Sequence, residues 1–358
     1  MIGVLPSQEL RAMIDRGEIA ADPPVAEEQI QPSSLDLRLG TEAYRVRASF
    51  LAGAGRSVRE RLPEFEMHRI DLTEGAVLEK GCVYVVPLME RLDLPDAVQA
   101  IANAKSSTGR LDLLTRTITD GGVEFDRIPA GYSGPLWAEI CPRSFSVLVR
   151  PGQRLNQIRF RQGQAVLSDD ELRALHAADP LVDTPPLISD GLGFSVDLAP
   201  KDGTLVGYRA KPHTGVIDLD RIDHYPPAEF WEPIHSANRQ IILDPGAFYI
   251  LVSREAVTIP PTHAAEMAPY LAMVGEFRVH YAGFFDPGFG HDIAGGHGSR
   301  GVLEVRCHEA PFVLEHGQIV GRLVYERMAE VPDLLYGRGI RSNYQGQGLK
   351  LSKHFKAP

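Results

Sequence analysis

The amino-acid sequence predicts an all-β protein with a few short helices, arranged as two tandem distorted β-barrel domains at residues 1–165 and 166–358. Two observations carry that expectation. The chain repeats itself at a nearly constant interval, and each half consists of short alternating or β-branched runs punctuated by Gly and Pro. Leu78-Glu-Lys-Gly81-Cys-Val-Tyr-Val-Val86 returns as Leu243-Asp-Pro-Gly246-Ala-Phe-Tyr-Ile-Leu251. Gly81 and Gly246, Pro95 and Pro260, Glu139 and Glu304, and Gly152 and Gly317 all stand 165 positions apart.

Upstream, Glu9-Leu-Arg-Ala12 pairs with Glu171-Leu-Arg-Ala174 at an interval of 162. Ser34-Leu-Asp36-Leu37 pairs with Ser195-Val-Asp197-Leu198 at 161, a drift that small insertions explain. One amphipathic helix opens each half, at Ser7 to Arg16 and at Ser168 to Ala178. The second begins on a capping box, Ser168-Asp-Asp-Glu171, in which the serine and the glutamate satisfy each other's backbone N–H groups. Runs such as Val83-Tyr-Val-Val86, Ser146-Val-Leu-Val149 and Ile241-Ile-Leu243 read as strands. The boundary falls between Phe160 and Gly191, where polar residues and Thr184-Pro-Pro186 interrupt the pattern.

Bulk properties fit two globular domains. The 358 residues exceed one ordinary core, and the hydrophobic fraction of 44% and charged fraction of 23% are those of a soluble protein. Net charge is -10, which argues against a broad nucleic-acid-binding surface, so any phosphate site is local. No apolar run approaches the ~20 residues of a membrane span, and the first residues lack the core of a signal peptide. A cytoplasmic location is expected. Cys82, Cys141 and Cys307 are far apart and read as reduced, structural thiols. The H-x-E and P-C-x-x-C patterns of zinc-dependent nucleobase deaminases do not occur, so no zinc and no protein-held metal is expected.

Four segments carry chemistry. Lys105-Ser106-Ser107-Thr108-Gly109-Arg110 gathers hydroxyls, backbone N–H groups and cations around a glycine, which suits a polyphosphate. Glu139 and Glu304 are acids inside apolar strands, where a carboxylate needs work or a partner, and both are candidate general bases. His280-Tyr-Ala-Gly283-Phe-Phe-Asp286-Pro-Gly288-Phe289-Gly290 reads as a β-hairpin with Asp-Pro-Gly at its tip, able to stack an aromatic on a base and accept from a sugar hydroxyl. The glycine-rich Gly290–Gly298 stretch reads as a loop despite His291 and His297. Tyr336 to Lys356 contains no acid and suits an anion-closing tail.

Together these pieces resemble the dCTP deaminases and their dUTPase relatives. Ile30-Gln-Pro-Ser-Ser-Leu-Asp-Leu-Arg-Leu-Gly40, the S-S-x-x-R segment, the hairpin, the strand glutamate and the terminal Tyr344-Gln-Gly-Gln347 follow in the family's order. The resemblance implies the dUTPase-like (β-clip) fold, a trimer or trimer-like arrangement of domains, and sites shared by neighbours. The first half keeps Ser106, Ser107 and Arg110 but has Ile128-Pro129-Ala130-Gly131 in place of the hairpin aspartate. The second half keeps Asp286, Glu304 and the tail, but has Tyr270-Leu-Ala-Met-Val-Gly275 in place of the serine segment. One working site is therefore expected where the first half's phosphate residues meet the second half's hairpin, glutamate and tail.

Carried onto these residues, the resemblance makes Glu304 or Glu139 catalytic. Ser106, Ser107, Arg110, Asp286, Phe289, Tyr344, Gln347 and Lys350 bind the substrate, dCTP, with dUTP and dTTP as further ligands. Mg2+ accompanies the triphosphate. The second half has Phe284 before the turn where single-domain deaminases usually carry an arginine, while Arg127 stands in the first half. The reaction expected from the resemblance is deamination of dCTP to dUTP and ammonia, with onward cleavage to dUMP, a plain dUTP diphosphatase and a nucleotide-binding regulator without turnover as the alternatives.

Overall fold

The computed structural model describes residues 2–201, 203–269, 277–280, 283–307, 309–337 and 346–357, with 269 and 277–280 described by backbone alone. It divides into two compact units. The first is Met1–Ala165 together with Gly215–Ile222, and the second is Val166–Thr214 with Asp223–Pro358.

The first unit is built on a sheet in the order Glu66–Asp71, Glu42–Val46, Val83–Asp93, Ser133–Pro142, Leu113–Thr119, with Ile19–Ala21 also on Val83–Asp93. A second sheet runs Gly3–Val4, Arg154–Gln162, Val98–Ala104, Arg127–Ile128, with Leu35–Arg38 also on Arg154–Gln162. Alternation decides which side chains enter the core. In Ser133–Pro142, Leu136, Ala138 and Ile140 are sealed from solvent, and so are Trp137 and Glu139 on the opposite face. That second face is covered by the loop after Val46, whose Phe50, Val58 and Leu62 pack on Trp137 and Ile118.

The second unit repeats the order. One sheet runs Trp231–His235, Leu205–Ala210, Phe248–Val257, Ser299–Cys307, Phe277–His280, and another runs Leu192–Ser195, Ile319–Arg327, His263–Pro269, Phe284–Phe285. Its core holds Leu192, Phe194, Tyr249, Leu251, Leu303 and Tyr325. The all-β expectation holds, and the helices expected at Ser7 to Arg16 and Ser168 to Ala178 form as Ser7–Asp15 and Asp169–Ala178, beside single-turn helices at Val58–Arg61, Ser106–Gly109 and Pro227–Phe230. The capping box forms, with Ser168 N–H donating to Glu171 Oε2 at 2.8 Å and Glu171 N–H to Ser168 Oγ at 3.4 Å. Among the described residues no helix is long and apolar enough to cross a membrane.

Three sequence expectations are corrected. Ser34-Leu-Asp36-Leu37 is not the counterpart of Ser195-Val-Asp197-Leu198. Arg38 lies opposite Arg154 and Ser195 lies opposite Ile319, so Leu35–Arg38 corresponds to Leu192–Ser195. The similarity of two S-x-D-L strings outweighed the register, which only the neighbouring strand reveals. The His280–Gly290 segment is not a hairpin either: Phe277–His280 pairs with Ser299–Cys307, whereas Phe284–Phe285 pairs with His263–Pro269 in the other sheet. Finally, Gly215–Ile222, read from sequence as part of the second domain, belongs to the first unit. Ile217–Asp218 runs parallel to Val147–Val149, and Arg150 Nη1 reaches Asp218 and Asp220 at 2.7 Å each.

His263 is half-buried. Burial, aided by the Arg327 guanidinium, lowers its pKa to about 4. The folded state thus keeps it neutral while the unfolded chain protonates it near 6.5, so native stability falls as pH drops from about 6.5 towards 4. Urea unfolding near neutral pH and near pH 4.5 should show that His263→Gln removes a loss of about 2 kcal/mol, after allowance for partial exposure. An unchanged pH slope in the variant would exclude His263 as its source.

Candidate active site

Ser106–Gly109 form a single helical turn after Lys105, with Gly109 N–H on Lys105 O at 2.9 Å and Arg110 N–H on Ser106 O at 3.1 Å. Lys105 is held by an ion pair with Asp36, a carboxylate that is 1% exposed. The turn is continued by Asp112, whose backbone is left-handed at φ 54° and whose Oδ2 accepts from Ser144 Oγ at 2.6 Å. Ser106 is half-buried, Ser107 is buried, and Arg110 is 2% exposed, so the guanidinium is far more enclosed than a surface anion site requires.

Glu139 sits mid-strand, 1% exposed, and its cross-strand neighbour is Arg116. Arg116 closes on one of its oxygens: Nε and Nη2 donate to Glu139 Oε1 at 3.2 and 2.5 Å, and Nη2 also reaches Ser49 Oγ at 3.2 Å. The guanidinium carbon lies 3.6 Å from the Phe125 ring centroid, so the cation is stacked as well as forked. Glu139 Oε2 is buried with no hydrogen-bond partner among the described residues.

Glu304 holds the matching position on Ser299–Cys307, 7% exposed, opposite Ile250 and His280. The turn that precedes this strand places Asp286 and Phe289. Phe289 N–H bonds Asp286 O at 3.1 Å, Pro287 takes the second position, and Gly288 has φ 93° at the third, which is the type II arrangement. A β-carbon at Gly288 would come within 3.2 Å of Leu335 and of the Tyr336 backbone. In the first unit Tyr132 N–H on Pro129 O makes the equivalent turn, with Gly131 at φ 70°. Pro129 therefore stands where the second unit has Asp286.

The C-terminal segment meets this region twice. Tyr336 N–H bonds Pro287 O at 2.8 Å, and Gln347 lies along Ser299 and Arg300, its carbonyl accepting from Arg300 N–H at 3.1 Å. Gln347 Nε2 also donates to Arg300 O at 3.1 Å. The strand bearing Glu304, the Asp286 turn and the described parts of the tail are thus joined in one unit. Lys350 is exposed, and Leu351, His354 and Phe355 anchor the segment beyond it, Phe355 packing against Tyr225, Phe230 and Trp231.

Phe289 is corrected from open stacking surface to core: it is 5% exposed, with its ring 5.2 Å from Phe285 and 5.4 Å from Tyr336. Tyr344 and Tyr270–Gly275 lie outside the described residues. The Gly290–Gly298 loop contains a 3-10 turn, and His291 reaches Asp179 Oδ2 at 3.0 Å through Nε2. Sequence reasoning missed Arg116, Phe125 and the Lys105–Asp36 pair. Arg116 meets Glu139 through the register of two separate strands, which no pattern within either strand reveals.

The paired barrels, each with a buried strand glutamate, define a protein of the dUTPase-like, all-β class. Comparison with known proteins narrows this. The N-terminal domain family of 2'-deoxycytidine 5'-triphosphate deaminases matches residues 1–164, and the C-terminal domain family of the same enzymes matches residues 168–355. The chain belongs to the dCTP deaminase family. A crystal structure of 2'-deoxycytidine 5'-triphosphate deaminase from Agrobacterium tumefaciens is 56% identical, with a TM-score of 0.88 over 91% of this chain and 99% of that one. The dUMP-forming dCTP deaminase of Methanosphaera stadtmanae is 30% identical over 44% of this chain and 79% of its own length. The dCTP deaminase of Natronomonas pharaonis is 26% identical over 44% and 80%.

Arg116→Ala strands the Glu139 carboxylate inside the sheet. Breaking a buried pair by removing one partner costs about 3–5 kcal/mol, and the 30% exposure of Arg116 should reduce this to about 2–3 kcal/mol. Urea unfolding should also show most of the loss regained in Arg116→Ala/Glu139→Leu; a single variant as stable as the parent would deny the clamp any energetic weight.

Proposed function

We propose that the chain deaminates dCTP to dUTP and ammonia, with Glu304 moving the protons. The observation that supports this choice is the commitment of Glu139 to a buried ion pair with Arg116. Glu139 has its Oε1 committed to Arg116 and its Oε2 shut away, so water could reach it only by displacing the guanidinium. At the corresponding cross-strand position Glu304 has His280 in place of an arginine.

In the proposed step Glu304 takes a proton from water as the water oxygen adds to cytosine C4, and hands that same proton to N3, which returns the carboxylate to its starting state. The proton of the new C4 hydroxyl is then passed to the amino group, the C4–N bond breaks, and ammonia leaves as the uracil carbonyl forms. Ser106, Ser107 and Arg110 serve the triphosphate, and an Mg2+ ion accompanying it would offset its charge. Asp286 accepts from the sugar 3'-hydroxyl, which favours a deoxyribose. Gln347 and Lys350, with Tyr344, close on the phosphates.

A second reading, further hydrolysis of dUTP to dUMP and diphosphate, is favoured by the names of several relatives, which are dUMP-forming dCTP deaminases.

Incubation with dCTP and Mg2+, with ammonia and nucleotides both followed, tests these readings. Glu304→Gln should lower kcat by about 10²–10⁴-fold, while Glu139→Gln keeps most of its activity. Loss confined to Glu139→Gln would reverse the assignment, and dUMP with diphosphate would establish the second reading. Binding of dCTP without release of ammonia would leave a regulator instead of an enzyme.

A further inference from the structure

The repeated strand order lets each unit serve as a template for the other. Val83–Asp93 and Phe248–Val257 are counterparts, each with an irregularity in its pairing, between Pro87 and Arg91 in one and Val252 and Ala256 in the other. Glu90 and Glu255 therefore hold the same place, and both are buried, at 1% and 8% exposure.

In the first unit Glu90 is answered by an arginine. Oε1 accepts from Arg38 Nε at 2.8 Å and Gln29 Nε2 at 2.9 Å, and Oε2 accepts from Arg38 N–H at 2.8 Å. The rest of the Arg38 guanidinium donates to Pro23 O at 2.7 Å and Pro24 O at 3.2 Å. In the second unit Ser195 replaces Arg38. The backbone bond is retained, Ser195 N–H to Glu255 Oε2 at 2.8 Å, and the serine hydroxyl takes Oε1 at 2.5 Å. By register, Gly193 likewise replaces Asp36 and Ile319 replaces Arg154.

These exchanges coincide with a cavity of about 290 Å³ lined by Ser195, Glu255, Thr184, Pro185, Pro186 and Ile319 among others. Pro185 and Pro186 follow the segment bridged to Val257, as Pro23 and Pro24 follow the strand paired with Val83–Asp93. The volume is at the lower end of the ~300–1,000 Å³ usual for small-molecule sites. An ionised carboxylate offers about four acceptor positions, of which Ser195 uses two. Ile319, Leu187 and Leu192 supply apolar wall for the faces of a planar, weakly hydrated cation. Among the described lining residues Arg254 is the like charge that opposes it.

We propose that this cavity binds a guanidinium group on a short apolar stem, held by Glu255 in the slot that Arg38 fills in the first unit. Two sources share that chemistry, a free guanidinium compound and an arginine within a peptide.

Calorimetry on the full chain with methylguanidinium, and separately with an arginine blocked by peptide bonds on both sides, tests the site, with methylammonium as the control cation. Methylguanidinium should bind and methylammonium should be at least about tenfold weaker. Ser195→Arg, which returns the missing side chain, and Glu255→Gln should each weaken binding at least about tenfold, while Arg254→Ala should tighten it. Binding of both probes admits either source, and binding of methylguanidinium alone selects the free compound. The proposal fails if neither probe binds, or if both bind equally well to the folded Ser195→Arg and Glu255→Gln variants. Should one of those variants not fold, the other decides.

Discussion

A carboxylate enclosed in a β-sheet has to be met by donors, and that requirement organises both units. Glu90, Glu139, Glu255 and Glu304 are all nearly sealed from solvent. Leaving such a charge unanswered would cost several kcal/mol, a large fraction of a domain's total stability. Around Glu90 the requirement draws together the Gln29 turn, the Leu35–Arg38 strand and the Pro23-Pro24 segment. Around Glu139 it fixes Arg116, and through Arg116 the Ser49 loop and Phe125.

The two units answer the same demand with different chemistry. Where the first uses guanidinium forks, the second has a serine at Glu255 and a histidine opposite Glu304. Where the second has Asp286 at a turn, the first has Pro129, which brings no side-chain acceptor. Arginine satisfies a buried acid by immobilising it, and at Glu255 a serine does so with a smaller side chain. The first unit has thus been consolidated as framework around its acids while retaining the serine turn.

Much of this was legible in the sequence. Glu139 and Glu304 stood out because an acid in an apolar alternating run is rare, and the capping box at Ser168 and the Asp286-Pro-Gly turn are set by local chemistry alone. Where the reading failed, the missing information was non-local. Arg116 and Glu139 meet only because two strands pair in one register, and no pattern within either strand announces it. The match of Ser34-Leu-Asp to Ser195-Val-Asp misled because four residues of slippage are invisible until the neighbouring strand is known. The Phe284-Phe285 arm passes to a different sheet from Phe277–His280, a change that turn residues do not encode. Phe289 reads from sequence as a face for the base, and its ring is instead packed in the core against Phe285 and Tyr336.

The segment Gly215–Ile222 bears on what counts as a part of this protein. The Val147–Val149 strand lies between Ala76–Leu78 and Ile217–Asp218, and Arg150 has its acidic partners, Asp218 and Asp220, on the later segment. A fragment ended at the apparent boundary near Ala165 would present that strand as a bare edge beside an uncompensated arginine, a ready template for another chain. Sequence continuity and physical autonomy therefore do not coincide here. The first unit is discontinuous in sequence, and a fragment cut at the repeat boundary would leave one edge of the Val147–Val149 strand unpaired.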